Sequence, residues 1–110
     1  MAAEEFIIAG WLDYGPYRDQ VLEHFTVVAA ESRHEPGCLG YTVCADPENP
    51  GRIVVFERWA SADDLIEHFK TAHIATFREA IKPYPRSGRD LHRYFVARHE
   101  EFQSSSAATS

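Results

Sequence analysis

Apolar and polar positions change period several times along the chain, and each change marks an element. Over Glu5–Asp13 (EFIIAGWLD) the period is two, with Phe6, Ile8, Gly10 and Leu12 facing one way and Ile7, Ala9, Trp11 and Asp13 the other. Both faces of this strand are largely apolar. Tyr14-Gly15-Pro16 breaks it, and Pro16 suits the first turn of a helix. From there to about His34, Val21, Leu22, Phe25, Val28, Ala29 and Ser32 fall on one helical stripe, with His24 and His34 off its centre and solvated. Glu35-Pro36-Gly37 ends the helix, the proline removing a donor and the glycine permitting a left-handed turn.

A second strand, Cys38 to Ala45, meets a third across Asp46-Pro47-Glu48-Asn49-Pro50-Gly51, a loop of turn formers that predicts a hairpin. The third strand places Ile53, Val55, Glu57 and Trp59 on one face and Arg52, Val54, Phe56, Arg58 and Ala60 on the other. After Trp59 the period lengthens. Ser61 and Asp64 have the form of a capping box, and Leu65, Ile66, Phe69, Ala72, His73, Thr76 and Ala80 form the stripe of one helix, with His68 at its edge. Lys82 to Arg89 is too rich in proline and glycine for regular structure, and a fourth strand follows from about Asp90 to Arg98.

The order strand, helix, strand, strand, helix, strand, with right-handed crossovers, predicts a ferredoxin-like split βαβ fold: α+β, a four-stranded antiparallel sheet with two helices on one face. Residues 1–4 are read as an N-terminal extension, 5–99 as a single domain, and 100–110, which drift into SSSAATS, as a disordered tail. The second apolar sheet face needs cover, and in so short a chain a second copy is the economical source, with Trp11 as a candidate anchor.

Composition narrows the partners. The 110 residues suit one domain with little to spare for a deep private pocket, which favours a shared one. Eleven Lys and Arg against 17 Asp and Glu give a net charge of −6, with no basic run, so nucleic acid and anionic membranes are excluded as main partners in favour of small molecules and protein. No stretch has the apolar length of a membrane span, and the acidic start MAAEEF is unlike a signal peptide; the expectation is a cytoplasmic protein. Cys38 and Cys44, roughly 20 Å apart on one extended strand, cannot bridge each other and lack partners at metal-site spacing, so they are read as small, partly buried hydrophobes.

The candidate chemistry gathers between Arg52 and Phe77. Taken singly, Trp59 is a core residue, Glu57 a paired carboxylate and each histidine a satisfied polar group. Together, an acid and an indole on one apolar strand face, followed by a helix carrying His68 and His73, make a site for proton transfer.

Three stretches, Glu35-Pro36-Gly37-Cys38-Leu39-x-Tyr41, Glu57-x-Trp59 and His68-x-x-x-x-His73, together with the element order, resemble the antibiotic biosynthesis monooxygenase family over about residues 5–98. The resemblance implies a homodimer whose sheets pack face to face as a dimeric α+β barrel, with a pocket between each sheet and its helices. Family members include cofactor-independent oxygenases of polyketide anthrones, quinol monooxygenases, haem-degrading enzymes and an isomerase of a phosphorylated signalling molecule. Trp59 matches the pocket tryptophan, and His68 and His73 match the paired histidines of the quinol monooxygenase and signal-processing branches. The haem-degrading branch uses an asparagine where this chain has about Gly10, which disfavours haem. One polyketide-pathway oxygenase has an asparagine and a tyrosine where this chain has Val55 and Leu65, so its detailed mechanism is not carried over.

The resemblance and the residues together point to oxygenation of a phenol, hydroquinone or anthrone with dioxygen as co-substrate and no metal, flavin or haem. In this reading His73 is the base, Trp59 stacks on the substrate ring, His68 is a second proton carrier and Glu57 orients a histidine, while Val55, Leu65 and Phe69 line the substrate. An alternative is isomerisation of a small phosphorylated sugar-like compound, its phosphate held by Arg86 and Arg89 with Lys82. A third is a non-catalytic dimeric ligand-binding module.

Overall fold

A computed structural model of the chain describes residues 4–103. The extension and tail expected at the ends lie largely outside these residues. Strand β1 (Phe6–Asp13) leads through a 3-10 turn at Gly15–Tyr17 into α1 (Arg18–Ser32); β2 (Cys38–Ala45) and β3 (Arg52–Trp59) form the hairpin; α2 (Ala62–Phe69) and α3 (Ala72–Ile81) precede β4 (Gly88–Phe95). The sheet is antiparallel throughout, in the order β2-β3-β1-β4. This is the ferredoxin-like arrangement, with one departure: the expected second helix is two helices.

The period-two reading of β3 holds. Ile53, Val55, Glu57 and Trp59 are all buried beneath the helices, while Phe56 on the opposite face is exposed. Two apolar clusters divide the core. At one end of the sheet Leu12, Ile53 and Val55 pack on Val21, Phe25 and Val28 of α1 and Ile74 of α3. At the other, Phe6, Tyr41 and Trp59 pack on Ala29 of α1 and Leu65 of α2. Burial of each large side chain in these clusters contributes about 1.5–3 kcal/mol.

The helix that was expected to run unbroken from Ser61 stops at Phe69. Ser61 caps α2 as predicted, its Oγ accepting from Asp64 N–H at 3.2 Å. The Asp64 carboxylate accepts from the Ser61 hydroxyl at 2.8 Å, a variant of the reciprocal box. Thr71 then acts as a second cap: its Oγ1 donates to the His68 carbonyl at 2.8 Å and accepts from Ile74 N–H at 3.4 Å, closing α2 and opening α3. The fourth strand begins two residues earlier than expected and ends at Phe95, because its pairing partner β1 spans only Phe6–Asp13.

The outer sheet face carries Trp11, Val54, Phe56 and Tyr94, with the Arg52 guanidinium 3.7 Å from the centre of the Trp11 ring. Phe56 and Tyr94 are exposed there. Among the described residues, no helix is long and apolar enough to cross a membrane.

Candidate functional site

Glu35, which the sequence marks as part of a turn and of a family-like stretch but not as a site residue, lies at the centre of the site. Its Oε2 accepts from His68 Nδ1 at 2.8 Å and from His73 Nε2 at 2.6 Å. Because a carboxylate oxygen accepts, these bonds assign the shared protons to His68 Nδ1 and His73 Nε2. The other nitrogen of His73, Nδ1, faces Glu31 Oε2 at 3.4 Å.

Local backbone geometry explains the convergence. Ala60 N–H donates to the Gly37 carbonyl at 2.9 Å, which ties the Glu35-Pro36-Gly37 turn to the junction of β3 and α2. Gly37 takes φ +81°, and a Cβ there would meet the Asp64 side chain, whose own Cβ is 2.6 Å away. On one continuous helix, positions 68 and 73 would stand about 140° apart and could not face one carboxylate. The break at Lys70 and Thr71 removes that separation.

His68 was expected at the edge of its helix; it is 2% exposed. The Trp59 ring lies 4.7 Å from its own between centroids, with Phe69 at 5.5 Å, Tyr41 at 5.9 Å and His73 at 6.2 Å. Burial pushes its pKa down, against the pull of the Glu35 carboxylate, which favours a neutral ring. His73, placed by the sequence on the buried stripe, has a side chain 18% exposed and lines the mouth of a cleft.

That cleft departs from the pocket the resemblance implied. Between sheet and helices the space is filled: Trp59, Val55 and Leu65 are core residues, and Trp59 meets His68 where stacking on a substrate was expected. The opening lies instead between α1 and α3, a cavity of about 250 Å³ with Val27, Val28, Thr76 and Phe77 in its walls and His24, Glu31 and His73 as its polar groups. His24, read from sequence as solvated, thus borders the cavity.

Glu57 is buried beside the site without touching either histidine. It accepts from Trp59 Nε1 at 3.0 Å, and Tyr41 faces it from the neighbouring strand. Burial pushes its pKa up to about 7, with hydrogen bonds from Trp59 and Tyr41 opposing and the Glu35 charge adding to the rise. The Tyr41 hydroxyl is pushed up by the same burial and by Glu57. Glu57 is therefore a buried partner of the Trp59 indole rather than an orienting partner for a histidine.

Arg86 and Arg89 are exposed and stand at the other end of the sheet. Arg89 pairs with Leu12, whereas Trp59 pairs with Phe6, six positions along β1 and roughly 20 Å away. Lys82 is bound to Glu79 at 2.8 Å. The phosphate clamp expected of the isomerase alternative is thus not assembled around the histidines. Phe69, also taken for a substrate contact, is half-exposed, with one side against His68 and the Arg78 guanidinium 5.3 Å from its ring.

Comparison with known proteins places the fold and the family. The model of the family described as "Antibiotic biosynthesis monooxygenase" matches residues 15–80. The probable quinol monooxygenase YgiN of Escherichia coli K12 is 31% identical over 74 residues, which covers 60% of this chain and 71% of that protein. Its Shigella flexneri counterpart matches equally. Among solved structures, a Deinococcus radiodurans protein that bears the same family name superposes with a TM-score of 0.76 at 20% identity, covering 90% of this chain and 99% of that one. A Pseudomonas aeruginosa protein gives 0.74 at 19% identity, covering 89% and 98%. The family match spans the segment that holds Glu35, Trp59, His68 and His73, and the chain belongs to the antibiotic biosynthesis monooxygenase family.

Proposed function

We propose that this protein is a cofactor-independent monooxygenase of a small hydroquinone, with His73 as the base. The observation that carries the reading is the position of His73, between an apolar cleft and a largely enclosed carboxylate. Glu35 holds Nε2–H at 2.6 Å and turns Nδ1 toward the cleft side. A carboxylate behind an imidazole fixes its tautomer and stabilises the imidazolium that forms when the outer nitrogen takes a proton. Glu31, half-exposed, gives way to the substrate hydroxyl.

In the cleft, Phe77 stacks with the substrate ring and Val27, Val28 and Thr76 exclude water. Once His73 has taken the phenolic proton, the anion gives an electron to dioxygen. The radical pair combines at a ring carbon, and loss of water leaves a hydroxyquinone. Hydroquinone plus dioxygen yields hydroxyquinone plus water, so the substrate supplies every electron and no outside reductant enters. The size of the cleft favours a compact quinol over an extended anthrone, in keeping with the quinol for which the E. coli relative is named. Haem is not part of this reading, because Gly10 stands where the resemblance gives the haem-degrading branch its asparagine.

The same reading makes the protein a homodimer joined through the outer sheet face. It also places the protein in the cytoplasm, a reducing compartment suited to the free thiols of Cys38 and Cys44. Oxygen uptake by chelator-treated protein with a panel of hydroquinones tests the chemistry. Saturable uptake should exceed autoxidation and fall by about 10²-fold or more in His73→Ala. Uptake unchanged in that variant removes His73 from the mechanism.

A further inference from the structure

We propose that Glu35, His68 and His73 form a binding site for a divalent transition-metal ion of the zinc and cobalt class. Glu35 Oε2, His68 Nδ1 and His73 Nε2 lie within 4.8 Å of one another. Two imidazole nitrogens and a carboxylate oxygen are a ligand set that such ions take, with further positions left open for water. Ligands about 2.0–2.1 Å from a shared ion stand roughly 3.4 Å apart in a tetrahedral site and roughly 3.0 Å in an octahedral one. The carboxylate oxygen is 2.8 and 2.6 Å from the two nitrogens, so those two pairs need to open by less than about 1 Å, while the two nitrogens, within 4.8 Å of each other, need to close toward roughly 3.4 Å. In the metal-free protein, hydrogen bonds hold the three donors together in the ion's stead.

Two independent features support the assignment. Behind His73, Glu31 Oε2 is 3.4 Å from Nδ1, the carboxylate–histidine arrangement that orients metal-bound imidazoles. On binding, the His73 proton moves from Nε2 to Nδ1, where Glu31 receives it, and the His68 proton moves from Nδ1 to Nε2. The cleft between α1 and α3 would give a hydrated cation access as far as Glu31 and the exposed edge of His73. His68 and Glu35 are nearly enclosed, their side chains 2% and 11% exposed, so the ion would be held largely by protein.

A consequence follows that rests on the proposed oxygenase reading: an ion here occupies His73 Nε2 and forces the proton onto Nδ1, the nitrogen needed as base. Bound metal would then inhibit turnover.

The experiment is a titration of chelator-treated full-length protein with Co²⁺, followed by visible d–d absorption, with Zn²⁺ displacement as confirmation. One saturating equivalent is expected, with affinity reduced about tenfold or more in Glu35→Gln and His73→Ala and unchanged in His92→Ala, a surface control. Far-ultraviolet circular dichroism verifies that each variant is folded, and the exposure of His73 to the cleft makes His73→Ala the safer of the two. Absence of a saturable Co²⁺ band in the unsubstituted protein overturns the proposal, as does equal binding in folded His73→Ala. These arms use no substrate and therefore stand apart from the oxygenase assay. Zn²⁺ inhibition of oxygen uptake supports both readings, whereas uptake abolished by chelation and restored by Zn²⁺ or Co²⁺ supports the metal site and overturns the metal-free mechanism.

Discussion

Glu57 shows how much a single buried group can decide. Its carboxyl has an ordinary value near 4.5 and is pushed up to about 7 by burial. Between these values the unfolded chain has lost the proton and the folded protein has kept it, so stability is full below about pH 4.5 and declines as pH rises through about 7. Glu57→Gln keeps an acceptor for the Trp59 indole and removes the charge. Urea unfolding at several pH values should show that the variant loses this slope and is more stable than the parent at pH 8 by on the order of 2 kcal/mol. A slope identical in parent and variant would assign the pH dependence to other groups. Legibility at this scale was uneven. Alternation along β3 placed Glu57 and Trp59 on the buried face, because a strand's facing depends on adjacent residues alone. Glu35 was invisible as a site residue, since its partners lie 33 and 38 positions away and only the folded turn brings them to it.

Among the elements, the two short helices α2 and α3 matter most. Ser61 could be read as a cap because a strand ends immediately before it. Thr71 could not be separated from the apolar stripe that continues through it, although a threonine followed three residues later by Ile74 is a possible cap in isolation. Treating the segment as continuous put His68 at an edge and His73 toward the core, the reverse of their observed exposure. The Glu35 turn depends equally on Gly37. Alanine there must adopt a left-handed backbone and displace Asp64, so Gly37→Ala should lower stability by about 2 kcal/mol or more, measured as a fall in Tm. The site should suffer beyond the loss of stability, with oxygen uptake reduced even at temperatures where circular dichroism shows the variant folded. Full uptake in such a variant would mean that the turn does not position Glu35.

For the whole molecule, strand order and sheet topology followed from local patterns, because six elements in this order have few chirally allowed arrangements. The cleft did not, since it lies where α1 and α3 fail to close on each other. Two-sided apolarity in β1 raised the question of what covers the outer face, and the exposed Phe56 and Tyr94 beside Trp11 give that question a location. If two copies pack through this face, Phe56→Asp should convert the dimer into a monomer at micromolar concentration by light scattering, because an aspartate there would be buried without a partner. A monomeric parent protein would remove the dimer from the proposed function.

An enzyme that releases a quinone must live with an electrophile that arylates thiols. Cys38 opens β2 half-buried, its Sγ–H pointing to the Gly40 carbonyl at 3.7 Å. Burial pushes this thiol's pKa up, and the nearby charges of Glu35 and Glu57 push in the same direction. The thiolate, the form that attacks, is thereby kept scarce. Burial does most to passivate this cysteine, and the charges of Glu35 and Glu57 add to it. Peptide mapping after exposure to a simple benzoquinone should find Cys38 unmodified in the folded protein and arylated once the chain is unfolded. If the proposed chemistry holds, burial and nearby charge together spare Cys38 from the released quinone, and the exposed Cys44 is the thiol left open to it.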